Sequence, residues 1–263
     1  MGDEETALAG SRLNEVVKIG DTVHRPAGPW TPTVHALLRH VRANGFGLAP
    51  EPLGMDDRGR EVLSYIPGHT VGDGLPWPAW TWDDELLMDV GRATARYHGA
   101  VAGFRPAGVV PWQFGPSELQ ADQIVCHHDI APYNVVVADG RLQGIIDWDL
   151  IGPGTTRSDL AFVAWQWVPL QHPAVARMFG WHGVDDLARR LNLLLDAYGL
   201  QQRDGFIDDV IARMHLNRDG MLRKAAEGVP AYIRLVEAGH VEGMNAAIAF
   251  VASQRDALQR QLS

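Results

Sequence analysis

Asp129, Asn134 and Asp147 lie in the densest polar stretch of the chain, residues 124–149, with Asn134 five residues after Asp129 and Asp147 thirteen residues further on. An amide oxygen and a carboxylate brought close together are hard oxygen donors, of the kind that hold Mg²⁺ through a shared phosphate. Asp129 sits at the head of Ile130-Ala131-Pro132-Tyr133, where the proline stiffens a loop able to aim a carboxylate at a substrate hydroxyl. That is the position of a general base.

The element that must bring these groups together is a hairpin. Asp139-Gly140 separates Val135-Val136-Val137-Ala138 from residues 141–147, and this pair tolerates the positive φ of a two-residue turn. If Ala138 pairs with Arg141, strict alternation sets Asn134 opposite Ile145. Asp147 is then its diagonal neighbour, about 7 to 8 Å away on the same face. The other face, Val135, Val137, Leu142, Gly144 and Ile146, is apolar and expected to be buried. An isolated Asp-Gly turn is more often a solvated surface feature; its union with the polar residues on both sides points to a site.

The run CHHDIAPYN, with Ile146-Asp147-Trp148-Asp149 following, resembles the aminoglycoside phosphotransferase family, whose pattern is roughly HGDxxxxN with a later IDWE or IDWD. About 30 residues carry the specific match. The resemblance implies a two-lobed protein-kinase-like fold in which Asp129 is the catalytic base and His127 supports the catalytic loop. It makes Asn134 and Asp147 the Mg²⁺ ligands, with Asp149 a supporting or occasional metal ligand. Asp159 then braces the catalytic loop from a buried helix. His128 stands where the family usually has glycine.

By the same resemblance, Gly10-Ser11-Arg12-Leu13-Asn14 is the turn over the nucleotide phosphates, with Ser11 at its centre. Arg25 stands where a kinase lysine is expected, near the end of the third strand, and can grip two phosphate oxygens. The helix that usually supplies the partner glutamate offers Val34 and His35 instead, while Ser64, Tyr65 and Ile66 form the hinge strand that meets adenine. Only twelve residues separate Asp147 from Asp159. That interval leaves no room for a long activation loop and disfavours a protein substrate.

The first 66 residues read as extended runs at 15–19, 22–25 and 61–66, part of a five-stranded meander. One helix interrupts it, opened by Thr31-Pro32, carrying Val34, Leu37, Leu38 and Val41 on one face and closed by Asn44-Gly45. Residues 67–80, rich in Gly, Pro and Trp, form a linker or hinge. Residues 81–263 are mainly helical pattern around the central hairpin. The expected class is therefore α+β: an N-terminal nucleotide-binding sheet lobe at 1–66 and a larger helical lobe at 81–263.

Composition narrows the partners. The 263 residues are 46% apolar, enough for a continuous core, and the single cysteine, Cys126, excludes an internal disulfide. No secretory leader or bilayer-length apolar run is legible, so a cytoplasmic protein is expected. With 32 acids against 23 bases, nucleic acid and anionic lipid are disfavoured as partners. Residues 71–263 hold 23 of the acids and 16 of the bases, which favours a cationic acceptor. Asp185, Asp186, Asp208 and Asp209 are candidate contacts for it, although paired acids of this kind usually mark a solvated helix face.

These readings converge on a phosphotransferase that moves the γ-phosphate of ATP, or of GTP, to a hydroxyl of a small molecule with Mg²⁺ as cofactor. An aminoglycoside or another cationic antibiotic is the simplest acceptor. Three alternatives stand: a choline- or sugar-type metabolite kinase, a kinase-like module that binds nucleotide without transfer, and a metal-dependent phosphoesterase built on His127, His128, Asp129 and Asp147.

Overall fold

The structure is a computed structural model that describes residues 5–8, 16–108, 110–114, 118–183 and 186–262. The chain divides into two compact units, residues 1–74 with 92–156 and residues 75–91 with 157–263. In this division the polar loop and the central hairpin group with the sheet.

The first unit opens with β1 (Thr6–Ala7), β2 (Val17–Ile19), β3 (Thr22–Pro26), α1 (Thr31–Ala43), β4 (Pro52–Met55) and β5 (Arg60–Ser64). The five strands form one antiparallel sheet in the order β1-β2-β3-β5-β4. Helix α1 buries Val34, Leu37, Leu38 and Val41, the face its periodicity predicts, together with Thr31 and His35. Asn44 ends it by donating its side-chain amide to the His40 carbonyl, and Gly45 follows at φ +83°, a turn that glycine adopts without a Cβ clash.

The same unit contains the second half of α2 (Asp84–Val101), then β6 (Ile124–Cys126), β7 (Val135–Ala138), β8 (Arg141–Ile145) and β9 (Gly152–Gly154). Strands β7 and β8 form the hairpin, and β6 pairs with β9. The rings of Phe46, Tyr97 and Trp148 meet at centroid distances of 5.2 to 6.3 Å, and the Tyr97 hydroxyl donates to the Val125 carbonyl at 2.7 Å. This aromatic cluster fixes the strand that leads into the polar loop.

The hairpin register departs from strict alternation. Ala138 pairs with Arg141 as expected, but a bulge between Val136 and Val137 places Val135, not Asn134, opposite Ile145. One extra residue on β8, Gln143, absorbs the shift. Ile145 is therefore fully buried rather than exposed on a working face. Asn134 instead accepts the Ile146 N–H at 2.9 Å.

Strand β9 is Gly-Pro-Gly for steric reasons. A Cβ on Gly152 would lie 2.1 Å from the Phe114 carbonyl oxygen, and one on Gly154 would lie 2.9 Å from Cys126 Sγ. Gly152→Ala is expected to destabilise the protein by about 1–3 kcal/mol through overpacking against backbone that cannot retreat. A urea midpoint unchanged from wild type would contradict this packing.

The second unit is helical: α3 (Thr156–Trp167), α4 (Pro173–Met178), α5 (Leu187–Tyr198), α6 (Phe206–Ala226), α7 (Pro230–Glu237) and α8 (His240–Gln261). Helix α3 starts at Thr156, so Asp159 lies in its first turn and is not its cap. A carboxylate there favours the positive end of the helix dipole. Trp77 and Trp82 pack with Phe179 and Trp181 inside this unit. Buried Arg190 donates to the Trp82 and Trp167 carbonyls at 2.7 and 3.2 Å and lies over the Trp181 ring. Among the described residues, no helix is long and apolar enough to cross a membrane.

Candidate active site

The polar loop leaves β6 at His127. Its ring packs on Trp148 at 4.5 Å, and its Nδ1 accepts the Asp129 N–H at 3.3 Å, so His127 shapes the loop from beneath. His128 adopts φ +69°, the left-handed conformation its glycine counterpart would take. The backbone is thus glycine-like despite the side chain, at a cost of about 1–2 kcal/mol. Packing offsets that cost: the ring is buried, lies 4.5 Å from Phe114, and brings Nε2 within 3.1 Å of the Gly152 carbonyl.

A 3₁₀ turn over Pro132–Asn134 carries the next two groups. The Asn134 amide donates to Asp129 Oδ2 at 2.7 Å and to the Asp129 carbonyl at 3.0 Å. The Tyr133 hydroxyl donates to Asp129 Oδ1 at 3.0 Å. Desolvation, then the Asp129 charge, and more weakly Asp147, hold that phenol protonated well above its usual range, although the residue as a whole is 42% exposed. With its nitrogen committed to Asp129, the amide oxygen is the atom of Asn134 that could hold a cation.

Asp147 follows β8 in the left-handed conformation, φ +59°, which turns its carboxylate out of the strand alternation. Its side chain is 50% exposed, and Oδ1 accepts from Arg25 Nη1 at 3.2 Å. Asn134 holds the Asp129 carboxylate and its carbonyl accepts the N–H of Ile146, the residue before Asp147, so the structure brings Asp129, Asn134 and Asp147 into one neighbourhood. It does so through the bulge and the left-handed turn, not through the diagonal pairing that strict alternation predicts.

Arg25 is the hub on the sheet side. Its Nε lies 3.0 Å from Glu61 Oε2, its Nη1 contacts Asp147, and its Nη2 contacts Asp149. Glu61 sits directly across from Arg25 on β5 and is 1% exposed. His35 of α1 brings Nε2 within 2.9 Å of the other Glu61 oxygen, at ion-pair distance but without the alignment of a hydrogen bond. The acidic partner that the resemblance places on the helix is therefore supplied by a cross-strand neighbour, with the helix contributing a histidine behind it. Burial works against the Arg25 charge, but Asp147, Asp149 and Glu61 more than offset it and hold the guanidinium above its ordinary range.

Asp149 is 13% exposed and faces Arg25, with a further hydrogen bond from Trp30. Burial pushes its carboxyl up to about 6; Arg25 opposes this shift, and the nearby Asp147 and Glu61 charges add to it. Both acids of the motif contact Arg25, but Asp147 is half exposed and Asp149 is 13% exposed, so Asp147 is the more open of the two.

At the end of β5, the Ser64 N–H donates to the Glu51 carbonyl and the Tyr65 N–H to the Asp21 carbonyl, both at 2.9 Å. These two donors are engaged, and the Ile66 side chain lies against Gly144. Lys18 rests over the Tyr65 ring at 4.7 Å. Ser11 and the turn around it lie outside the described residues. Asp159 belongs to the second unit and is buried.

The candidate acceptor acids carry arginines. Asp186 contacts Arg189 at 2.6 Å, Asp208 is gripped by Arg255, and Asp209 by Arg157. Their charge is largely matched on the helix surface, and Asp185 lies outside the described residues. Two participants escape a reading of the sequence alone. Glu61 carries no local motif, and Tyr133 has only a hydroxyl four residues past Asp129 to mark it.

Fold and constellation together define a protein-kinase-like phosphotransferase. The chain belongs to the phosphotransferase enzyme family, whose sequence profile matches residues 110–193. The trifolitoxin immunity protein of Rhizobium leguminosarum bv. trifolii is 36% identical to it over 215 residues, 80% of either chain. Among solved structures, a spectinomycin phosphotransferase in complex with ADP and spectinomycin superposes with a TM-score of 0.60 at 12% identity, covering 98% of this chain and 93% of that one. The GDP complex of aminoglycoside 2′-phosphotransferase-IIIa gives 0.58 at 13% identity over 97% and 94%. A choline/ethanolamine kinase family protein from Mesorhizobium loti gives 0.56 at 17% over 94% and 92%. At these identities the structural likenesses establish the fold.

Proposed function

We propose that the protein transfers the γ-phosphoryl group of ATP to a hydroxyl of a toxin or antibiotic small molecule, with residues 1–66 as the nucleotide lobe, 67–80 as the hinge and 81–263 as the catalytic lobe. The observation that carries this reading is the meeting of Asp129, Asn134 and Asp147 beside Arg25 in a loop held rigid from both sides. The immunity named for the 36% identical relative supports a toxin as acceptor, and the drug complex of the spectinomycin phosphotransferase agrees with it. Nucleotides in the related folds, ADP in one and GDP in another, support a nucleotide donor.

The donor set of Asn134 and Asp147, an amide oxygen and a half-exposed carboxylate, fits Mg²⁺. An ion held by these two residues would supply neutralisation of charge on the transferring phosphate. Arg25 has five N–H donors, and three carboxylates engage one nitrogen each, so its fork is pre-aimed and can also steady phosphate oxygens. Asp129 receives the hydrogen bond of the acceptor hydroxyl, orients its oxygen towards the γ-phosphorus and takes its proton as the new P–O bond forms. Asn134 fixes the carboxylate plane in which this happens. Alignment and preorganised charge supply most of the acceleration.

The test is release of ADP or GDP by the purified protein with Mg²⁺ and ATP or GTP, screened against trifolitoxin, aminoglycosides, spectinomycin, choline and ethanolamine. A toxin or antibiotic that stimulates release and gains 80 mass units per phosphate (about 80 Da for HPO₃, the group moved in phosphoryl transfer) is the expected result. Stimulation by choline alone would move the protein to the metabolite kinases.

A further inference from the structure

Asp129 has a protein donor on each carboxylate oxygen, and the two donors differ in freedom. On Oδ2, the Asn134 amide donates at 2.7 Å from a side chain that is nearly buried, anchored by its own N–H to the Ala131 carbonyl and by its carbonyl to Ile146. On Oδ1, the Tyr133 hydroxyl donates at 3.0 Å from a residue that is 42% exposed overall. A hydroxyl donating to a carboxylate oxygen at this distance is the same chemical group, in the same role, as an acceptor alcohol bound to the general base. Asn134 belongs to the motif that the family resemblance carries, whereas that motif leaves the position of the tyrosine open.

Resting on the phosphotransferase reading above, we propose that Tyr133 is a gating residue. Its hydroxyl occupies the acceptor position on Asp129 Oδ1 and keeps water off the base until an acceptor hydroxyl displaces it. The reaction it suppresses is hydrolysis of ATP. Water would attack the γ-phosphorus, its proton would pass to Asp129, the bond from the γ-phosphorus to the β–γ bridging oxygen would break, and ADP and inorganic phosphate would leave. Because Tyr133 and Asn134 hold different oxygens of Asp129, rotation of the tyrosine side chain about its Cα–Cβ bond would open Oδ1 while Asn134 stays on Oδ2. An acceptor whose remaining groups bind nearby provides the free energy for that displacement; water, with no other contacts, does not.

The experiment is Mg·ATP hydrolysis in the absence of any acceptor, measured for wild type, Tyr133→Phe, Asp129→Asn and the double variant, with binding of a fluorescent methylanthraniloyl-ADP measured on each. Tyr133→Phe keeps the ring and removes only the oxygen. The expected result is hydrolysis raised about tenfold over wild type, the factor set by one hydrogen bond to a charged group. Nucleotide affinity should stay unchanged, the melting temperature should fall by no more than a few degrees, and the rise should disappear in the double variant. A purely structural tyrosine would not yield a gain that depends on Asp129. Tyr133→Phe hydrolysis at or below the wild-type rate, with nucleotide still bound, would overturn the gate and leave the phosphotransferase reading standing. Failure of wild type to bind nucleotide would overturn both.

Discussion

Asp129→Asn is expected to lower the rate of phosphoryl transfer to the acceptor by about 10²–10⁴-fold, the range of a positioned general base. Nucleotide affinity should stay close to wild type. The substitution is isosteric, and its amide oxygen can still accept from Asn134, so the loop keeps its shape. What it removes is the proton acceptor. The proposed nucleotide contacts, Arg25 and Asp147, are other residues, which is why binding and transfer should separate. Single-turnover transfer from labelled ATP, with nucleotide binding titrated in parallel, reads both quantities. A variant that turns over at the wild-type rate would remove Asp129 from the chemistry.

Glu61→Ala is the second large effect, and it falls on stability and nucleotide affinity together. Glu61 is buried between Arg25 across the strands and His35 from the helix. Removing one member of a buried charged set leaves the rest desolvated, and about 3 kcal/mol is expected where other partners remain. Asp147 and Asp149 still hold two nitrogens of Arg25, so the protein should fold, but the Nε anchor that aims the fork is lost. The expected outcome is a lower urea midpoint together with weaker nucleotide binding. If both are unchanged, the cross-strand pair has no part in placing Arg25.

Much of the fold was legible because two periodicities are clean. The apolar face of α1 is spelled by Val34, Leu37, Leu38 and Val41, and Asp139-Gly140 turns where such a pair should. The meeting of Asp129, Asn134 and Asp147 was legible from spacing and residue type, but the route to it was not. The bulge at Gln143 interrupts what looks like strict alternation, and its only trace is Gly144, a glycine inside a strand that often accompanies a bulge. Glu61 was hidden for a topological reason. Its partnership with Arg25 depends on β3 pairing with β5 across an intervening helix and strand, and no local pattern states which strands become neighbours. Exposure also had to be seen rather than read: Asp147 and Asp149 look equivalent in Ile146-Asp147-Trp148-Asp149 and both contact Arg25, yet the first is half exposed and the second nearly buried.

The guanidinium at the hub also decides which reagents can report on this protein. Nucleotide probes that work by acylating an amine next to the phosphates have no amine to capture at Arg25. The two lysines of the whole chain are Lys18, lying over Tyr65, and Lys224, paired with Glu227. Surveys that count kinases by tagged lysines would pass this one over or mark it at Lys18. An arginine-directed dicarbonyl such as phenylglyoxal, with protection by Mg·ATP, is the matching label.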